Sequence, residues 1–151
     1  MKIKLPMEMK NLLKKTQNIV NKYTRIKYAI ITSDGLMARC FCCGKMWILD
    51  THKAKKNYHC SHLFREDLFA SVRFHHNNLR PACNYCNINL HGNLAIYTEK
   101  LIDEIGLEEY ERLCFLKNQT KKYSAMELEQ IIFEHEELLL QPEFARKLQL
   151  Y

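Results

Sequence analysis

The spacing of apolar residues divides this chain into a helical start, an irregular middle and a helical end. Over residues 7–22, Met9, Leu12, Leu13, Ile19 and Val20 fall at helical spacing among Lys10, Lys14, Lys15 and Lys22, which predicts an amphipathic helix with a basic side. Tyr28 to Thr32 is a short apolar segment, followed by the turn chemistry of Ser33-Asp34-Gly35. Residues 45–58 are mixed and lysine-rich, the pattern of a loop or irregular hairpin. His59–Phe64 and Ser71–Phe74 read as two short strands separated by Arg65-Glu66-Asp67. Pro81 then precedes Ala82-Cys83-Asn84-Tyr85-Cys86-Asn87, where a helix is expected to start.

Beyond Gly92 the helical period is plain. Asn93 is placed to cap a helix whose face runs Leu94, Tyr97, Leu101 and Ile105, with Gly106 ending it. Leu107, Tyr110, Leu113 and Cys114 mark the next helix. Ser124 and Glu127 fit a capping box ahead of Leu128, Ile131, Ile132, His135, Leu138 and Leu139, and Pro142 divides that helix from a short last one. The expected class is α+β and mostly helical, with one domain over 1–151. Its parts are a basic N-terminal segment (7–32), a metal-bound core (40–92) and a helical scaffold (93–151).

Charge sharpens this division. Residues 1–90 carry 16 Lys/Arg against 5 Asp/Glu, whereas residues 91–151 carry 7 against 12. A basic half of this strength suits a polyanion, because neutralising phosphates releases counterions; a merely solvated basic surface is the alternative. No apolar run is long enough to span a bilayer, and the N-terminus MKIKLPMEMKNLLKK lacks an apolar block with a small-residue cleavage site. The expectation is a cytoplasmic protein without a membrane partner, so its seven cysteines point to metal or free thiols rather than disulfides.

Cys40-x2-Cys43-Gly44 and Cys83-x2-Cys86 are two knuckle-type pairs. Two intervening residues let one tight turn aim both sulfurs at a tetrahedral ion, and two such pairs complete a closed structural Zn²⁺ shell. Cys42 cannot share that turn geometry and reads as a free thiol. Between and just after the pairs stand His52, His59, His62, His75, His76, Asn78, Asn87 and His91.

The order His62, Asn78, then Asn87 directly after the second pair resembles the HNH (ββα-metal) nuclease motif. The longer stretch Cys40–Leu139 resembles the phage NinG/Rap recombination proteins, relatives of recombination endonuclease VII. The residues carrying it are Cys40-Phe41-Cys42-Cys43-Gly44, Ser61-His62-Leu63-Phe64, Val72-Arg73-Phe74, Cys83-Asn84-Tyr85-Cys86-Asn87 and Gly92-Asn93. The resemblance implies a zinc-stabilised, treble-clef-like ββα-metal core between an N-terminal helix and C-terminal helices. It also implies a metal-dependent DNA endonuclease acting on branched or recombination intermediates, in a bacterial host cytoplasm if the chain is phage-derived.

By that resemblance His62 is the general base, Asn78 braces the loop behind it, and Asn87 ligates a catalytic Mg²⁺ or Mn²⁺. His59 and His91 are further candidate ligands, because Ser61 stands where many such nucleases carry a metal-ligating acid or histidine. Arg65, Arg73 and Arg80 are candidate phosphate contacts, with ordinary surface charge the other reading of each. A homodimer is the expectation for an enzyme that cuts paired strands. The competing functions are a zinc-stabilised nucleic-acid-binding module without catalysis, favoured by Ser61, and a protein-interaction domain using the C-terminal helices.

Overall fold

The computed structural model describes residues 6–151; the first five residues of the stretch read as lacking a secretory signal lie outside them. The chain is α+β and mostly helical. Helix α1 (Met7–Tyr28) opens it and continues six residues beyond the expected end at 22. Its inward face is only partly apolar: Thr16 and Thr24 are buried beside Val20 and Ile26, each threonine hydroxyl donating one turn back to the carbonyl of Leu12 or Val20. That internal pairing lets two hydroxyls lie inside without an orphaned donor.

Three short strands follow as an antiparallel meander: β1 (Ile30–Thr32), β2 (Gly35–Arg39) and β3 (Met46–Ile48). The Ser33–Gly35 turn joins the first two, pairing Thr32 with Gly35. The mixed segment 45–58 is more regular than expected, since β3 leads into a one-turn helix α2 (His52–Lys56) capped by the Thr51 hydroxyl. The Trp47 indole donates to the Ala54 carbonyl at 2.9 Å and ties that turn to the sheet.

The central ribbon is β4 (Tyr58–His62) paired antiparallel with β5 (Leu79–Cys83). The first of the two expected strands holds. The second lies at Leu79–Cys83, while Ser71–Phe74 falls in a 3₁₀ turn at Ala70–Val72 and the residues after it. Every residue of β5 is buried, Pro81 included. Pro81 fits because the ribbon has only two strands, so its missing N–H costs no ladder bond, and its carbonyl accepts from Phe41 instead.

The helix expected from residue 82 is a single wide turn, Tyr85–Asn89, and then breaks. His91, Gly92 and Asn93 all have positive φ, which resets the chain direction before α3 (Leu94–Ile105). Gly92 suits this break: a Cβ there would lie 3.2 Å from Leu94 Cδ2, with φ at +90°. Asn93 occupies the cap position of α3 but makes no side-chain cap bond.

Helices α4 (Leu107–Lys117), α5 (Ala125–Leu140) and α6 (Pro142–Leu150) complete the chain. The Ser124–Glu127 capping box forms, and Pro142 begins α6. Tyr97, Leu101 and Leu113 from α3 and α4 pack with Val72, Ala82 and the buried cysteines in one apolar cluster. Helix α1 lies between the ribbon and α5, so its middle turns run past β4.

Candidate metal centre and adjoining cleft

Cys40 follows β2 within the meander, and the Gly44 N–H returns to its carbonyl at 3.0 Å, with Gly44 at φ +72°. That tight turn brings Cys43 round beside Cys40. The second pair straddles the exit of β5: the Cys86 N–H donates to Cys83 Sγ at 3.5 Å. The four sulfurs lie within 4.8 Å of one another, and Cys43 and Cys83 are 3.8 Å apart. A tetrahedron with metal–sulfur bonds of about 2.3 Å requires sulfur separations of about 3.8 Å. Cys40, Cys43, Cys83 and Cys86 are therefore positioned to bind a metal such as zinc.

The surroundings agree with a thiolate shell. The Asn93 amide donates to Cys86 Sγ at 3.7 Å, which is where its capping capacity goes. Cys42 stays outside the ring of ligands, buried, with its Sγ 3.8 Å from the Gly92 carbonyl. Its hydrogen bond to Cys40 draws that thiol down to about 3 against the opposing effect of burial. Burial pushes Cys83 up and Cys86 up to about 12. Sulfurs this crowded do not all ionise unaided; a divalent cation among them removes that conflict and releases their protons.

At the opposite end of the ribbon, His62 closes β4 facing Leu79. Sixteen residues, 63–78, separate the paired strands there, and Asn78 holds that loop shut. It is fully buried; its Oδ1 accepts from the Phe64 N–H at 2.8 Å, and its Nδ2 donates to the Phe64 and Val72 carbonyls, both at 3.0 Å.

The His62 side chain is 11% exposed. Its Nε2 lies 3.3 Å from Glu66 Oε2 and 3.4 Å from Gln17 Nε2 on α1. Burial lowers its pKa; Glu66 and a hydrogen bond to the Arg73 backbone pull the other way, and the Arg73 guanidinium adds to the lowering. The ring opens into a polar cleft of about 440 Å³ that Asn87, His91, Glu66 and Asn21 also line.

The structure thus brings His62, Asn87 and His91 to the lining of one cleft, with Asn78 in the loop behind His62. His59 lines the adjoining depressions, with its Nδ1 3.3 Å from the Asn87 amide nitrogen. Ser61 is buried with its hydroxyl unpaired, so it faces away from the cleft. The three arginines differ. Arg65 rims the cleft, paired bidentately with Asp67 at 3.0 and 2.7 Å. Arg73 Nε donates to the Glu66 carbonyl at 3.1 Å. Arg80 is corrected to an interior residue: 2% exposed, it binds the His76 and Leu79 carbonyls and Glu104, with no surface to offer a phosphate.

Besides the residues expected from the sequence, Asn21, Cys60, Glu66, Asp67 and Gly92 line the cleft, and Gln17 reaches His62 from α1. Gln17 and Asn21 stand one turn apart on α1, and the Gln17 amide donates to Asn21 Oδ1 at 2.8 Å. Glu66 was placed in a charged connector between strands.

The four-sulfur group is the one cluster of three or more His, Cys, Asp or Glu ligand atoms gathered closely enough for a metal among the described residues. No helix among them is long and apolar enough to cross a membrane. No curated protein and no solved structure matches the chain. A family model described as Bacteriophage Lambda NinG protein matches residues 2–142, beginning well before the cysteine pairs. By that match over nearly its whole length, the chain belongs to the bacteriophage lambda NinG family.

Proposed function

We propose that this protein is a metal-dependent DNA endonuclease of the HNH (ββα-metal) kind, with His62 as general base, acting on branched or recombination intermediates. The observation that carries the reading is His62 itself. It is a nearly buried histidine, biased toward the neutral form, opening into a polar cleft beside Asn87 and backed by a fully buried asparagine. A base of this kind must be neutral near pH 7 and fixed in orientation. A proton on Nδ1 leaves the Nε2 lone pair to accept, with Gln17 and Glu66 beside it.

In the proposed step, Nε2 takes a proton from water as the water oxygen bonds to phosphorus and the bond from phosphorus to the 3′ oxygen breaks. The products are 5′-phosphate and 3′-hydroxyl ends, with the departing oxygen protonated from solvent. Glu66 faces the imidazolium that forms and stabilises it. A bound Mg²⁺ or Mn²⁺ supplies screening of the phosphate and of the departing oxygen. Asn87 through its carbonyl, with His91, is the donor set this cleft offers a hard cation, while Glu66 stays on His62. Two neutral donors would hold such a cation exchangeably.

The second reading is a nucleic-acid-binding module without catalysis, favoured by the inward-facing Ser61. Nicking of a branched duplex in Mg²⁺ or Mn²⁺ separates the two. Wild type is expected to cut, with chelator or His62→Ala abolishing the product. Salt-sensitive binding with identical background in all three would leave the binding module.

A further inference from the structure

The cleft does not end at His62. Along β4 the side chains of Tyr58, Cys60 and His62 alternate onto one face. Cys60 and His62 line the polar cleft, and Tyr58 and Cys60 line a second depression of about 400 Å³. Asn21 and Cys60 border both, so the two form one trough with α1 as a continuous wall.

Its ends differ in charge. Around His62, Arg65 is met by Glu66 and Asp67. The far end gathers Arg25, Lys55 and Lys56 with His52 and no Asp or Glu among its lining residues. Among the described residues, none of the three cations has an acidic partner within salt-bridge distance. Tyr151 packs there too: Arg25 Nε donates to its hydroxyl at 3.2 Å, and Lys55 Nζ lies 5.6 Å from its ring centroid. These contacts order the cations without neutralising them.

We propose that this basic end holds the DNA backbone flanking the cleavage point, which runs along β4 from His62 toward α2. The inference rests on the DNA reading of the cleft and names the phosphate contacts that reading lacks. From residue 62 to residue 58 the ribbon spans about 13 Å. At about 3.4 Å of rise per nucleotide, that reaches a phosphate about four steps from the scissile one.

The test uses fluorescence anisotropy of a labelled duplex with full-length His62→Ala protein, over a series of salt concentrations. Lys55→Gln with Lys56→Gln is compared with Lys100→Gln plus Lys122→Gln, which lie outside the trough. The trough pair is expected to weaken binding about tenfold near 0.1 M salt and to reduce the log–log salt slope by about 1.8. The control pair should change affinity less than about twofold. Equal losses in both pairs, or none in the trough pair, would overturn the proposal. So would a single-stranded RNA of equal length that binds as tightly and loses the same slope.

The trough variant is also assayed for cutting on the wild-type background. Wild-type cutting with unaltered trough-variant binding would sink this inference and leave the nuclease reading standing. A reduced salt slope with no cutting by any protein would do the reverse.

Discussion

The two ends of the β4–β5 ribbon answer the same mechanical need with different chemistry. Each must hold together chain segments that are distant in sequence. At the Tyr58–Cys83 end, four sulfurs converge on one point, a geometry with no room for anything but an ion. At the His62–Leu79 end, one buried asparagine closes a sixteen-residue loop with three hydrogen bonds. That closure leaves the neighbouring face free, and a cleft of about 440 Å³ lies there. Closed coordination suits structure, and open polar surface suits chemistry.

The comparison breaks most visibly at the sulfur end. Cys83→Ser removes a ligand from a closed shell, and structural zinc binding is worth about 10–16 kcal/mol in small zinc modules. The expected result is loss of bound metal together with loss of the native circular dichroism spectrum. Retention of both would show that the sulfurs do not hold the fold.

At the other end His62→Ala should do the opposite. Cleavage should fall about 10²–10⁴-fold, the range for removal of a general base, while the melting temperature moves by no more than about 4 °C. Asn78→Ala lies between the two. It strands the Phe64 N–H and two carbonyls in the interior, a cost of about 1–3 kcal/mol, and it loosens the loop behind the base. Both a lower urea midpoint and a lower cleavage rate are expected; a stability loss with unchanged rate would separate Asn78 from the chemistry.

Smaller effects follow from protonation. Glu66 favours the charged form of His62, so Glu66→Gln lowers the His62 pKa further. Since a general base works in its neutral form, the acid limb of the pH–rate profile is expected to move to lower pH if His62 is that base. Stability should show the matching linkage. His62, His75 and His76 are all held below 6.5 by burial, so the unfolded chain binds protons first. Stability is therefore full above about pH 6.5 and declines as pH falls below it, visible as a lower urea midpoint at pH 5.5 than at 7.5.

What could be read from sequence follows the same contrast. The four cysteines were legible because knuckle spacing is a covalent, local constraint. The helices after Gly92 were legible because burial repeats with the helical period, as at Tyr97 and Leu101 or Leu128 and Ile132. Strand β5 was missed because Pro81 argues against a strand, and only the two-stranded ribbon makes it harmless. Arg80 looked like a surface cation because its partner, Glu104, lies 24 residues away on α3. Gln17 and Asn21 reach the His62 end only through the packing of α1 against β4, which no local pattern encodes, whereas Glu66 meets His62 from four residues further along the chain.

The most direct test of this division is one paired measurement: zinc per chain and metal-dependent cutting of branched DNA, for wild type and His62→Ala side by side. The account predicts about one tightly held zinc in both proteins, with cutting in Mg²⁺ or Mn²⁺ by wild type alone. Equal cutting by the two, or loss of zinc from His62→Ala, would contradict it.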